Sequence, residues 1–225
     1  MVMQLSEADH DRVSAAIAAA ETKSNGEIVA VATPLSDSYH DVALHWAMVP
    51  LFAVLAWAAI RPTALAWWYD FVTAGWGTEP SLGRLLTLLM VFAALKFTVA
   101  LLILKWMPLR LALTPRATKH RRVRRRAVAI FQAAAAGRTT GRTGILIYLS
   151  LSERRAEIVA DEAILKVTDE HTWGEAMTLL LEHVREGRPA EGIVAAIERV
   201  GVVLAEHFPR SPHDVNEIPD KLIEP

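Results

Sequence analysis

The chain has 225 residues, with 24 Lys and Arg against 25 Asp and Glu, for a formal net charge of −1. Hydrophobic residues make up 52% and charged residues 22%, which excludes a generally disordered chain, and the mean hydropathy of +0.25 points to apolar segments placed in lipid. There is no cysteine, so disulfides, thiolate metal sites, iron–sulfur clusters and cysteine nucleophiles are excluded as well.

Residues 6–20 read as an amphipathic helix. Ser6 and Asp9 make an approximate capping box, and Val13, Ala16, Ile17 and Ala20 recur at helical spacing. Asn25-Gly26 breaks that pattern. Residues 27–33, EIVAVAT, follow as a short apolar strand ended by Pro34.

Two long apolar runs come next. Residues 42–60 are interrupted only by His45 and Pro50, and as a helix they would reach about 28 Å, close to the thickness of a bilayer's hydrocarbon core. The second span covers residues 84–106, with an apolar run at 85–104 whose single charge is Lys96. A pair of buried core helices is the alternative, but runs this long mark membrane spans. The first run lies some forty residues in and carries no cleavage pattern, so it does not read as a signal peptide. The segment 61–83 reads as a short external loop in which Trp67, Trp68, Tyr69 and Trp76 suit headgroup depth.

Lys96 and His45 are the intramembrane polar residues. Pro50 has no N–H, so it frees the carbonyl of Trp46. Lys96 is expected either to bend toward the cytoplasm onto that carbonyl or His45, or to face lipid alone.

Orientation follows from Lys and Arg. Lys105, Arg110, Arg116, Lys119, Arg121, Arg122, Arg124, Arg125 and Arg126 follow the second span, whereas Arg61 and Arg84 flank the loop. Positive residues stay on the cytoplasmic side, which puts both termini on the cytoplasmic side of a bacterial inner membrane. Lys119, Arg121, Arg122, Arg124, Arg125 and Arg126 are accordingly read as contacts to anionic lipid headgroups, in preference to a nucleic-acid patch.

Residues 107–208 hold this basic segment and then a second soluble part. Val123, Ala127, Ile130, Phe131 and Ala134 form a helical stripe, residues 145–151 and 155–160 a β-hairpin, and 161–167 a short helix. Helices follow over 175–185 and along Ile193, Ile197, Val200, Leu204 and Phe208, and 209–225 reads as a flexible tail. Neither the first part, residues 1–36, nor the second has two apolar layers of its own. They should join as one α/β domain interrupted by a two-helix transmembrane hairpin.

Chemistry-bearing residues are sparse. Asp161, Glu162 and Asp169 follow a strand end and could hold a hard divalent cation such as Ca²⁺ or Mg²⁺; the competing role for Asp161 is a helix cap. Arg138 and Arg142 sit among small residues and could cradle an anion, although the P-loop pattern is missing. Ser150 and Ser152 have no evident base, and His171, His183 and His207 are too separated to suggest a metal site.

An ordered series of short segments resembles the TPM domain family, in its membrane-attached bacterial branch. The series runs Ala20-Glu21, Gly26-Glu27-Ile28-Val29, Thr143 to Ser150, Glu153-Arg154-Arg155, and Glu157 to Asp161. Trp173, Gly187, Gly192, Ala196-Ile197-Glu198, Gly201 and His207-Phe208-Pro209 complete it, so that it covers residues 5–35 and 128–209. The resemblance implies an α/β/α sandwich and, for some members, divalent-metal binding with weak acid phosphatase activity. Such members carry an acidic pair where this chain has Arg142-Thr143, which removes carboxylates a hard cation would need. The function expected from these features is a membrane-anchored accessory or interaction module that meets anionic lipid and a protein partner and no nucleic acid. The alternative is a metal-dependent phosphatase acting on phosphomonoesters.

Overall fold

A computed structural model describes residues 5–73, 80–134, 143–168, 170–212 and 216–224. In chain order the elements are α1 (Glu7–Glu21), β1 (Glu27–Thr33), α2 (His40–Ile60), α3 (Pro62–Val72), α4 (Leu82–Ile103), α5 (Met107–Leu113) and α6 (Arg116–Ala134). They continue with β2 (Gly144–Ser150), β3 (Arg155–Ala160), α7 (Glu162–Leu165), α8 (Glu170–Arg185), α9 (Pro189–His207) and β4 (Leu222–Ile223). The chain divides into two compact units, one of Met1–Ser38 with Arg116–Pro225 and the other of Tyr39–Pro115.

The first unit is a mixed α/β fold. Its four-stranded sheet has the order β3-β2-β1-β4, parallel for β1 with β2 and with β4 and antiparallel for β2 with β3. The register pairs Ile28 with Ile145 and Val31 with Tyr148, so the two halves of the chain share a sheet across the intervening unit. Successive residues of β1 face opposite ways. Ile28, Ala30 and Ala32 join Ile145, Ile147 and Leu149 under α1, α8 and α9, in a core that includes Val13, Ile17, Leu180, Ile193 and Ile197. Val29 and Val31 join Leu146 and Tyr148 on the other face, where Val123, Ala127 and Phe131 of α6 pack. The layers are helices, sheet and one helix.

Local signals behave as the chemistry requires. The α1 capping box is complete: the Asp9 N–H donates to Ser6 Oγ (3.2 Å) and the Ser6 N–H to Asp9 Oδ2 (3.0 Å). Arg154 takes a left-handed conformation, φ 50°, to close the β2–β3 hairpin. Pro189 opens α9 at its first turn, where its missing N–H costs nothing. The helix α8 starts at Glu170, earlier than the expected 175.

The tail differs from a flexible extension. Among its described residues, Leu222 and Ile223 pair with Ala30 and Val31, Ile218 is buried, and the N–H groups of Glu217 and Ile218 donate to the Glu27 carboxylate (3.2 and 3.1 Å). A two-residue strand has no period to detect, and its stability comes from docking on the open edge of β1.

In the second unit, α2 and α4 pack together and are long and apolar enough to cross a membrane. Arg110, buried on α5, ties the two ends: its Nε donates to the Leu104 carbonyl (2.9 Å), and its guanidinium lies 3.4 Å from His40 Nδ1. The Arg110 side chain thus satisfies a carbonyl which the C-terminus of α4 would otherwise leave open. The segment 61–83 is not simply a loop, since α3 fills its first half with Pro62 at the first turn. The helix α5 likewise lies in a segment with no helical signal of its own in the sequence. Both are short helices whose apolar residues merge with the flanking runs, so periodicity does not separate them.

Candidate functional site

Asp161 stands at the carboxyl end of β3, and its side chain makes no cap bond to α7. Instead its Oδ2 accepts from the Gly144 N–H (3.1 Å) while its own N–H donates to the Gly144 carbonyl (2.9 Å), fastening the end of β3 to the start of β2. Glu162 is exposed and pairs with Lys166 one turn on (2.9 Å). Asp169, Arg138 and Arg142 lie outside the described residues, as does Trp76. Among the described residues, no group of three or more His, Asp and Glu is placed to hold a metal ion. Of the expected acids that lie among the described residues, Asp161 is spent on the backbone and Glu162 on a lysine.

A different acidic cluster does form, at the start of β1. Glu21, at the end of α1, is buried and accepts from the Ile28 N–H through Oε1 (2.8 Å), while Oε2 is buried without a hydrogen-bond partner. Burial pushes its pKa up to about 9, reinforced by the negative charges of Asp220 and Glu27. One signal could have found it. Val13, Ile17 and Glu21 are spaced four apart on one face, so the inward stripe ends on a carboxyl group.

At the carboxyl ends of β1 and β2, where α/β folds commonly place ligands, the polar groups are turned on each other. Glu153 in the hairpin turn accepts from the Ser36 N–H (3.1 Å) and from Ser150 Oγ, and Tyr148 Oη lies 2.9 Å from Ser36 Oγ. Ser150 is fully buried, so it latches a turn and is no exposed nucleophile. Burial raises the Tyr148 pKa and keeps it a neutral hydrogen-bonding group.

The basic run lies on α6, and the structure sorts its members. Arg122 and Arg125 both reach Asp37 (3.2 Å each), and His120 and Arg124 reach Glu157 on β3 (3.0 and 3.6 Å). Burial still raises the Glu157 pKa, although His120 and Arg124 beside it pull the other way. Desolvation lowers the Lys119 pKa, with Arg155 and Arg116 adding repulsion. Arg121 and Arg126 are exposed and form no ion pair among the described residues.

In the helical pair, Lys96 neither bends toward the C-terminal end of α4 nor stands without a contact. Its Nζ sits 5.2 Å from the centroid of the Phe92 ring, one turn toward the N-terminus of α4, and Phe92 in turn touches Trp68 of α3 (centroids 4.5 Å). Helical side chains lean toward the N-terminus, and an aromatic face one turn away receives the ammonium. His45 Nδ1 instead donates to the Asp41 carbonyl (2.6 Å), so no pairing with Lys96 forms.

With a mixed sheet, a helical layer on each face and a strand order that joins two distant chain segments, the fold can be compared with known ones. Residues 108–203 match the model of the TPM domain. The match begins within α5 and takes in β2, β3 and most of α9, the region that carries the later half of the resemblance. The solution NMR structure of the BA42 protein from the psychrophilic bacterium Bizionia argentinensis is similar in fold, with a TM-score of 0.56 and 16% identity. That alignment covers 98% of this chain and 95% of the BA42 chain. No curated protein matches the chain.

Proposed function

We propose that the protein is a membrane-anchored accessory module in which a TPM-like α/β domain is held on the cytoplasmic face of a bacterial inner membrane. One observation carries this reading. In their most apolar stretches α2 is 22% buried and α4 only 6%, whereas a core helix of a water-soluble protein hides its apolar residues. Ile60, Leu82 and Met90 are among the large side chains left open, at 75%, 73% and 65% exposure. A surface of that kind is stable in lipid and aggregates in water.

The orientation rests on Lys and Arg at insertion, when the later ion pairs of α6 have not formed and acidic residues count for little. A protein partner, rather than a substrate, is the fitting occupant of the domain. Among the described residues at the strand ends, Asp161 is engaged with the backbone, Glu162 with Lys166 and Glu153 with Ser36 and Ser150, and that buried serine is closed off.

The test is membrane fractionation with alkaline carbonate extraction, followed by labelling of Thr78→Cys from either side. The chain should stay in the pellet, and the label should react only from outside. Release by carbonate would refute the anchor, and labelling only from inside would refute the orientation. Turnover of a phosphomonoester that needs Mg²⁺, Mn²⁺ or Ca²⁺ and is lost in Asp161→Ala would replace the accessory reading with a phosphatase.

A further inference from the structure

We propose that the outward face of α6 is a docking surface for the phosphates of anionic phospholipid headgroups, laying the domain against the bilayer. This rests on the membrane reading above and deepens it by naming which cations do the work. The helix has 19 residues and no acid, with seven Lys and Arg at Arg116, Lys119, Arg121, Arg122, Arg124, Arg125 and Arg126. Its inward stripe of Val123, Ala127 and Phe131 fixes the rotation on the sheet, so the opposite face must be solvent or a partner. On that face Arg121, Arg124, Arg125, Val128, Ala129 and Gln132 line an open groove of about 420 Å³. Three guanidinium forks around a short apolar floor match a phosphodiester with a glycerol backbone above it.

The local acids do not cancel this charge. Asp37 faces Arg122 and Arg125 together, and Glu157 faces His120 and Arg124 together, so each carboxylate meets two cationic or protonatable groups. Arg122 has only 14% of its side chain exposed and belongs to the clamp, whereas Arg121 has no acid beside it among the described residues. Both ends of the apolar unit join the α/β unit through short connections. Asp37 lies two residues before the apolar unit begins at Tyr39, and α6 starts one residue after that unit ends at Pro115. Both chain crossings thus run beside this one helix.

The absence of native cysteine makes a single probe unambiguous. The full chain carrying Ala129→Cys, labelled with a polarity-sensitive fluorophore, is reconstituted into vesicles of phosphatidylcholine alone or with about a third phosphatidylglycerol. Emission should shift to the blue, and headgroup-region quenchers should act, only in the anionic vesicles. Raising salt to about 1 M, where the Debye length is about 3 Å, should reverse both effects. Arg121→Gln with Arg125→Gln should bring the signal down to the phosphatidylcholine level. By contrast, Arg122→Gln should lower the thermal midpoint and leave the quenching intact.

Equal signals in the two vesicle types, or a signal that survives the double substitution, would overturn the proposal. Carbonate extraction of the same vesicles reports the anchor separately, so a chain that is retained but unresponsive rejects the docking surface alone. A chain that is stripped rejects both readings. If inorganic phosphate in detergent reproduces the whole shift, the face binds a free anion and the assignment to lipid fails.

Discussion

A buried carboxyl group with no cation paired to it among the described residues is the least ordinary residue in the α/β unit. Glu21 keeps its proton to about pH 9 when folded, against 4.5 for an ordinary glutamate. The sign of the linkage follows directly. Above 4.5 the unfolded chain releases a proton that the folded chain retains, so stability should fall as pH rises through this window and level off near 9. The slope from one such group is at most about 1.4 kcal/mol per pH unit. Glu21→Gln keeps an acceptor for the Ile28 N–H without the titration, and it should flatten the dependence. Thermal midpoints of the detergent-solubilised chain between about pH 5 and pH 8 would measure this, and parallel curves for the two proteins would dismiss it. Asp161 gives a smaller effect. Asp161→Ala leaves the Gly144 N–H without its side-chain acceptor and should cost about 1–2 kcal/mol in urea unfolding. The sequence displays both residues plainly, but not their partners. An acid after a strand suits a helix cap as well as a backbone strut, and only the approach of β2 decides between them.

At the scale of elements, periodicity locates α1 and α9, which each have one face to bury, whereas β1 and the β2–β3 hairpin show as short apolar runs bounded by turn residues. Periodicity misses α3 and α5, whose apolar residues run into their neighbours, and β4, which exists only because β1 offers an open edge. Helix packing supplies the prediction at this scale. A Cβ on Gly192 of α9 would lie 2.7 Å from the Leu180 carbonyl of α8, closer than any real contact, whereas a Cβ on Gly174 of α8 meets nothing within 4 Å. Helix propensity alone favours alanine at both positions by about 1 kcal/mol. Crowding against backbone typically costs about 1–3 kcal/mol and should win at the first site. Gly192→Ala is therefore expected to lower the unfolding midpoint and Gly174→Ala to raise it. If both substitutions stabilise, the α8–α9 contact is looser than described.

For the whole molecule, the question is whether two segments separated by the apolar unit make one cooperative domain. Residues 1–38 supply α1 and β1, and β1 sits inside the sheet, hydrogen-bonded to β2 on one side and to the tail's β4 on the other. Neither half is complete without the other: removing β1 would uncover Ile145, Ile147 and Leu149 on one face and leave β4 without a neighbour. The useful boundaries differ from those in the sequence alone. The second part must begin at Arg116, where α6 starts, and must run through the tail, which carries Ile218 and β4. Asp37 pairs with Arg122 and Arg125 at 3.2 Å each, which sets the end of the first part beside α6, about 9–14 Å along the helix from Arg116. A Gly/Ser linker of about eight residues spans about 16 Å on average, enough to bridge that distance. Residues 1–38 fused through it to 116–225 should fold without lipid or detergent and unfold in one urea transition. Ile28 is 1% exposed, so Ile28→Asp in that fusion would bury an unpaired carboxylate at a cost of several kcal/mol, against a total of roughly 5–15 kcal/mol for a domain. The substitution should abolish the transition for α8 and α9 as well as for β1, read by far-UV circular dichroism and protease resistance. Should residues 116–225 alone prove as stable as the fusion, β1 would be an accessory strand and the two segments would not form a single domain.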